Sequence, residues 1–279
     1  MKELDSGRAT TITVASGKGG TGKTSFSVNF SIALAALGKK VMVVDADFGL
    51  SNVDVMLGAQ PKYNLGHVLS GEVNMADAIS LGHGGIFFIA GGSGLDSLLD
   101  MKKSELNTIY KQILSLDKDF DYVIFDGGAG INDAILRLIN STDESILVAT
   151  PEPTSVMDAF VLLKSVAAKT RKPPVRIVMN RVDNQMEGLA MSRNLKNIVL
   201  KYLDYEVNYL GSISQDKNFV RSVKEQVPLM IRYPGCRAAK DLESIAYTFA
   251  QVAPPTFTGG LHRFFDKVMM GYGNRSTEK

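Results

Sequence analysis

The stretch "ASGKGGTGKTS" (residues 15–25) decides the fold. It follows the β-branched run "TTITV" (10–14) and opens the helix-like run "SFSVNFSIALAAL" (25–37). Two glycine patterns fit it. Gly17, Gly19 and Gly22 spell G-x-G-x-x-G, the turn of dinucleotide sites, while Gly17, Gly22, Lys23 and Thr24 spell G-x-x-x-x-G-K-[ST], the P-loop. Asp45, closing the next strand-like run, stands about where a ribose-binding acid would. The pair Lys23-Thr24 decides for the P-loop. A triphosphate needs a lysine on its β- and γ-phosphates and a hydroxyl on Mg²⁺, and a dinucleotide turn needs neither. Backbone N–H groups of Gly19, Gly20, Thr21, Gly22 and Ser25 would complete the anion cradle at a helix N-terminus. Lys18 is required by neither pattern.

Carboxylates stand where this chemistry needs them. Asp126 ends "YVIFD" (122–126), four apolar or aromatic residues and then an acid, the Walker-B pattern that sets a carboxylate beside a metal. Asp45 and Asp47 close the second strand in "VVDADFGLSNVD" (43–54). The P-loop and Walker-B patterns predict Thr24 and Asp126 beside Mg²⁺.

Short, nearly continuous apolar runs recur at 11–15, 40–46, 86–90, 122–126, 145–150, 175–180 and 207–213, as in strands buried on both faces. Helical patterns lie between most of them, at 23–37, 103–116, 131–140, 154–169, 187–203 and 237–252. The alternation predicts one α/β domain over 11–252, a doubly wound, mostly parallel sheet flanked by helices, after an N-terminal extension at 1–10. "APPTFTGG" (253–260) reads as a linker to a C-terminal helix at 261–271 and a flexible end at 272–279.

The 279 residues are 45% hydrophobic with a net charge of +2, so no overall field favours nucleic acid, and no specific nucleic-acid partner is expected. Cys236 is the single cysteine, which excludes an intrachain disulfide and a C-x-x-C cluster site. The three histidines lack ligand spacing. No signal-peptide core and no run of about 18 apolar residues is present, which predicts a cytoplasmic chain.

"KGGTGKTS" with Lys18 upstream resembles the deviant Walker A box of the MinD/ParA ATPases, and over roughly 11–252 the chain is most similar to the MinD and FlhG branch. "DADFGLSNVD" (45–54) resembles the family's switch I and "FDGGAGI" (125–131) its switch II; "TPEPTSVMDA" (150–159) and "MNRVD" (179–183) match further segments. The resemblance implies slow, partner-stimulated ATP hydrolysis by an ATP-bound homodimer. Lys18 would cross to the partner's phosphates, Lys23 would hold its own, Asp45 would join Thr24 and Asp126 around Mg²⁺, and Asp47, with Asn52 nearby, would orient the attacking water. Asn180 would read adenine and Arg181 stack on it. Three departures stand out. Gly127 replaces a bulkier residue after the Walker-B acid, which predicts a looser switch II. Ser214 replaces a common proline in the adenine loop. "MKELDSGRAT" (1–10) lacks the motif with which FlhG proteins stimulate a flagellar GTPase.

In "GGLHRFFDKVMMGY" (259–272), Leu261, Phe264, Phe265, Val268 and Met269 form one apolar helical face. Such a face docks on the protein's own core or lies in a bilayer interface, and about 11 residues cannot span a bilayer. The resemblance favours the membrane, with the chain peripheral on its inner face. Positioning or numbering flagella, or the division site, is the function this implies. A ParA-like partition ATPase binding DNA nonspecifically and a metabolic P-loop enzyme are the alternatives.

Overall fold

The computed structural model describes residues 8–47, 52–92, 112, 116–169, 172–251, 260, 261, 264, 265 and 267. Among the described residues eight strands form one sheet: β1 (Thr10–Ser16), β2 (Val41–Ala46), β3 (Ser80–Leu81), β4 (Phe87–Ile89), β5 (Tyr122–Ala129), β6 (Glu144–Ala149), β7 (Val175–Val182) and β8 (Val207–Ser214). Their order is β3-β4-β2-β5-β1-β6-β7-β8, parallel except for the edge strand β3. All seven runs read as strands from the sequence are found. Of the predicted helix at 103–116, only 112 and 116 lie among the described residues.

Both faces of the sheet are buried, which is why the strands read as continuous apolar runs rather than alternating ones. Val41, Val43, Ile124, Ile146 and Val178 point to one core. Their neighbours Met42, Val44, Val123, Phe125, Leu147 and Met179 point to the other. Helices α1 (Lys23–Ala36) and α10 (Arg237–Gln251) cover the first face, and α5 (Asp133–Ser141), α6 (Pro153–Ala167) and α7 (Gln185–Leu203) cover the second. Between these lie α2 (Val53–Met56), α3 (Leu65–Leu69) and α4 (Met75–Ala78) after β2, and α8 (Lys217–Glu225) and α9 (Leu229–Arg232) after β8.

Helix α1 is buried almost throughout, from Phe26 to Leu34. It stops at Gly38, whose φ of 81° supplies the left-handed residue that helix ends favour. Asn132, Asn184 and Asp216 start α5, α7 and α8 by accepting N–H bonds from Ile135, Glu187 and Asn218.

The tail helix packs on the protein itself. Leu261, Phe264 and Phe265 are buried in the second core, and Phe264 stacks on Phe125 with ring centroids 4.4 Å apart. Asp117, also buried, accepts N–H bonds at Oδ1 from Leu261 (3.0 Å) and from Ala9 (3.3 Å) at the head of β1. Burial pushes the Asp117 carboxyl up from its ordinary 3.8, against the pull of those two N–H donors. Lys267 Nζ donates to the Asn140 carbonyl near the end of α5. Of the five positions read as membrane-facing, Leu261, Phe264 and Phe265 thus cover the β5 side of the sheet. Val268 and Met269, the predicted linker up to 259 and the chain ends at 1–7 and 271–279 lie outside the described residues. Among the described residues no helix is long and apolar enough to cross a membrane.

Candidate functional site

The site lies at the C-terminal ends of the central strands, where the chain passes from β5 to β6 across β1. Crevices at such switch points are where open α/β sheets take ligands. Gly22 is the residue before α1 and has φ 89°, and Gly20 has φ 78°, so both occupy backbone that suits glycine. Gly17 is required for another reason. A Cβ there would lie 2.3 Å from the Asp158 carbonyl oxygen, because the loop packs directly on the α6 backbone.

Lys23 starts α1 with its side chain buried, and Nζ lies 3.5 Å from Asp126 Oδ1. Ser27, one helical turn on, donates to the same oxygen at 2.7 Å, and the Thr24 hydroxyl also favours the charged carboxylate. Asp126 Oδ2 is buried with no partner. Burial pushes this carboxyl up, opposed by Lys23 and the two hydroxyls and reinforced by the negative charge of Asp45. Asp45 is its register partner across β2 and β5, so two buried carboxylates stand side by side. An uncompensated oxygen beside a second carboxylate and a threonine hydroxyl suits a hard divalent cation held through water. It is the donor set Mg²⁺ takes in phosphate sites.

Asp45 has a second task. Its Oδ1 accepts from Asp47 N (3.0 Å) and its Oδ2 from Asn52 N (2.8 Å) and Val53 N (3.1 Å). It therefore pins both ends of the switch I segment, whose middle, 48–51, lies outside the described residues. Asp47 faces switch II: a Cβ on Gly128 would lie 3.6 Å from Asp47 Oδ1. Gly130 N donates to Ser16 O, which holds switch II against the start of the P-loop. Asn52 precedes α2 at the surface.

Gly127 does not loosen switch II. A Cβ there would meet Ile135 Cδ1 at 2.4 Å and Val14 O at 3.1 Å, so glycine lets β5 pack closely under α5 beside β1. The departure reflects tighter packing, the reverse of the expectation.

Lys18 is half-exposed and folds back onto "TPEPTS". Its Nζ donates to Glu152 Oε2 at 3.3 Å and Thr154 Oγ1 at 3.1 Å. Sequence reasoning missed both partners, which lie 134 and 136 residues away and which no spacing rule connects to the loop. Ser27 was missed too. Its signal was available, since it lies four residues after Lys23 and so shares that face of α1.

Beyond the loop an open cleft of about 820 Å³ runs from Gly22 and Ser25 past Thr150, Asn180, Arg181, Ser214 and Phe219. Asn180 is only partly free to read a base. Its Nδ2 donates to Thr21 O (2.7 Å) and its Oδ1 accepts from Arg181 N (2.9 Å), so it braces the P-loop and keeps one hydrogen and one lone pair for a ligand. Arg181, exposed at the cleft wall, has φ 60°. That conformation costs a non-glycine residue about 1–2 kcal/mol and clusters at ligand sites.

Comparison with known proteins agrees with this geometry. Residues 12–229 match the model of the CobQ/CobB/MinD/ParA nucleotide binding domain. The chain is 32% identical over 254 residues to the antiactivator FleN of Pseudomonas aeruginosa, covering 91% of each chain. It is 30% identical to the flagellum site-determining protein YlxH of Helicobacter pylori, covering 84% of this chain and 80% of that one. Its fold superimposes on the septum site-determining protein MinD of Pyrococcus horikoshii, complexed with Mg-ADP, with TM-score 0.71 and 24% identity over 87% of this chain and 96% of that one. The P-loop, the paired acids and these matches together establish that the chain belongs to the CobQ/CobB/MinD/ParA nucleotide-binding family, as a P-loop ATPase in its MinD/FlhG branch.

Proposed function

We propose that the chain is a slow, partner-stimulated ATP switch that dimerises on ATP·Mg²⁺ and binds membranes reversibly, positioning or numbering flagella or the division site. The observation that carries the hydrolytic half is the unpartnered Asp126 Oδ2 beside Lys23, Thr24 and Asp45. Lys23 exchanges Asp126 for the β- and γ-phosphates. Thr24, Asp126 and Asp45 would be the residues that hold Mg²⁺. The ion, when bound, neutralises charge that develops on the phosphate oxygens. Asp47 orients the attacking water, with Asn52 beside it. Positioning and charge suffice, and no covalent nucleophile is needed.

Lys18 supplies the dimer. Its exposed pair with Glu152 is worth about 0–1 kcal/mol, so a triphosphate on a second copy outcompetes it easily. Two such lysines neutralise two facing triphosphates, and loss of the γ-phosphate weakens the dimer.

The tail supplies the membrane contact. The face formed by Leu261, Phe264 and Phe265 cannot lie on Phe125 and in lipid at once, so membrane binding requires the helix to undock. Phe125 precedes Asp126, and Lys267 ties the helix to α5, which follows switch II. Nucleotide-driven movement of switch II therefore reaches the seat of the tail. Two released tails per dimer hold a membrane far better than one. The names of the flagellar relatives support the cellular role.

Co-sedimentation with anionic liposomes in ATP·Mg²⁺ and ADP·Mg²⁺ tests this reading. Pelleting in ATP alone is expected. No pelleting in either state refutes the membrane half, and a monomer at high protein concentration with ATP refutes the dimer.

A further inference from the structure

The net charge of +2 is not spread evenly along the chain. Residues 216–240 form α8, α9 and the start of α10. They hold six basic residues, Lys217, Arg221, Lys224, Arg232, Arg237 and Lys240, and two acidic ones, Asp216 and Glu225. Six less two gives this segment +4, which leaves −2 for the rest of the chain. All six basic residues are exposed.

The fold gathers them on one face. The spacing of Lys217, Arg221 and Lys224 sets them on one side of α8, away from the buried Ser222. Asp216 joins α8 to α10, accepting from Asn218 N at 2.8 Å and from Ala238 N at 3.5 Å. Arg232 reaches from α9 back to the end of α8, where its Nε donates to Glu225 Oε2 at 2.7 Å. Glu225 thus spends its charge on Arg232. The side chains of the other five make no ion pair or hydrogen bond among the described residues. Two apolar side chains stand among them: Val220 at the mouth of the cleft, 60% exposed, and Ile231 on α9, 40% exposed. Unpaired cations around exposed apolar groups suit a surface that offers phosphates with hydrocarbon beneath them. A nucleic-acid backbone offers the phosphates alone.

We propose that the α8–α9 face is a second membrane contact, whose arginines and lysines bind anionic phospholipid headgroups of the same bilayer that takes the tail. The inference rests on the membrane reading above and adds a surface that the tail does not supply. One short apolar anchor binds lipid weakly, and stable attachment takes a second signal, of which a basic patch is one kind. The distances allow both contacts at once. Helix α10 has 15 residues and is about 22 Å long. Residues 252–260, between α10 and Leu261, can extend to about 30 Å, so a released tail reaches back to the level of α8.

Co-sedimentation of the full chain and of its Arg221→Gln/Lys224→Gln variant in ATP·Mg²⁺ tests this. The vesicles are phosphatidylglycerol and phosphatidylcholine in equal parts, and phosphatidylcholine alone. Neither side chain lines the cleft, so the variant should melt and dimerise like the wild type. It should need about 20-fold more of the mixed lipid, roughly fivefold per charge removed, and bind the neutral vesicles as the wild type does. High salt should erase the difference. Equal binding to the mixed vesicles overturns the inference, and duplex DNA retained by the wild type but not the variant would then give the face to nucleic acid. An equal loss on both kinds of vesicle, or a loss that follows failure to dimerise, overturns it as well. A wild type that pellets with neither vesicle overturns the membrane reading itself, and this inference with it.

Discussion

Lys18 Nζ sits 3.3 Å from Glu152 Oε2, at a surface-exposed pair that joins the P-loop to the start of α6. The bond is weak and solvent-screened, and a weak cis contact suits a residue that must change partners. Lys18→Ala should bind ADP as a monomer with normal affinity and fail to dimerise in ATP, by light scattering. An intact dimer would remove Lys18 from the interface. Glu152→Gln releases Lys18 in advance, so its dimer should appear at a few-fold lower protein concentration.

Asp47→Ala should bind ATP and form a dimer that no longer decays. Asp47 faces Gly128 in switch II, whereas the pair that seats the phosphates is Lys23 with Asp126. Phosphate release in a single turnover is the measurement, and wild-type release in the variant would take Asp47 out of the mechanism.

Gly17→Ala should damage stability before it damages chemistry. Its Cβ would lie 2.3 Å from backbone at Asp158, which no rotamer change relieves. Overpacking of this kind costs about 1–3 kcal/mol, or a melting point roughly 2–10 °C lower. A variant that melts like the wild type would mean that α6 yields easily.

Asp117 is one of the buried carboxyls that make stability depend on pH. Its carboxyl titrates above the ordinary 3.8 because it is buried. The folded protein therefore holds a proton there that the unfolded chain has released. Stability from this group is greatest below 3.8 and declines as pH rises through the elevated value. Asp117→Asn, which keeps an acceptor for Leu261 N and Ala9 N, should flatten that part of the curve in urea unfolding from pH 4 to pH 7. An unchanged slope would show that the carboxyl titrates normally.

Much of this was legible in the sequence, because strand burial on both faces and the spacing of a phosphate loop are local patterns. The runs at 11–15 and 122–126 announce both themselves and the acid that Asp126 contributes. The register that sets Asp45 beside Asp126, by contrast, joins strands 81 residues apart in sequence, and no local pattern encodes it. Asn180 was read as a base-reading amide because its residue type suits adenine. The bond to Thr21 O depends on where the loop returns in space. Gly127 was misread for the same reason: a missing side chain looks like slack until Ile135 is seen filling the room. Helix α8 escaped notice because it is short and its apolar residues are few, Phe219, Val220 and Val223, with only Ser222 of the helix buried.

The seat of the tail has a practical consequence for anyone shortening this chain. Removing residues after 260 would uncover the Phe125 side of β5 that Leu261, Phe264 and Phe265 now shield. The truncated protein would present a new greasy surface to its own copies, and its clumping would pellet in a centrifuge with or without lipid. Lys267→Ala is the gentler probe, because it removes only the bond to the Asn140 carbonyl and leaves the three apolar side chains to cover the strand.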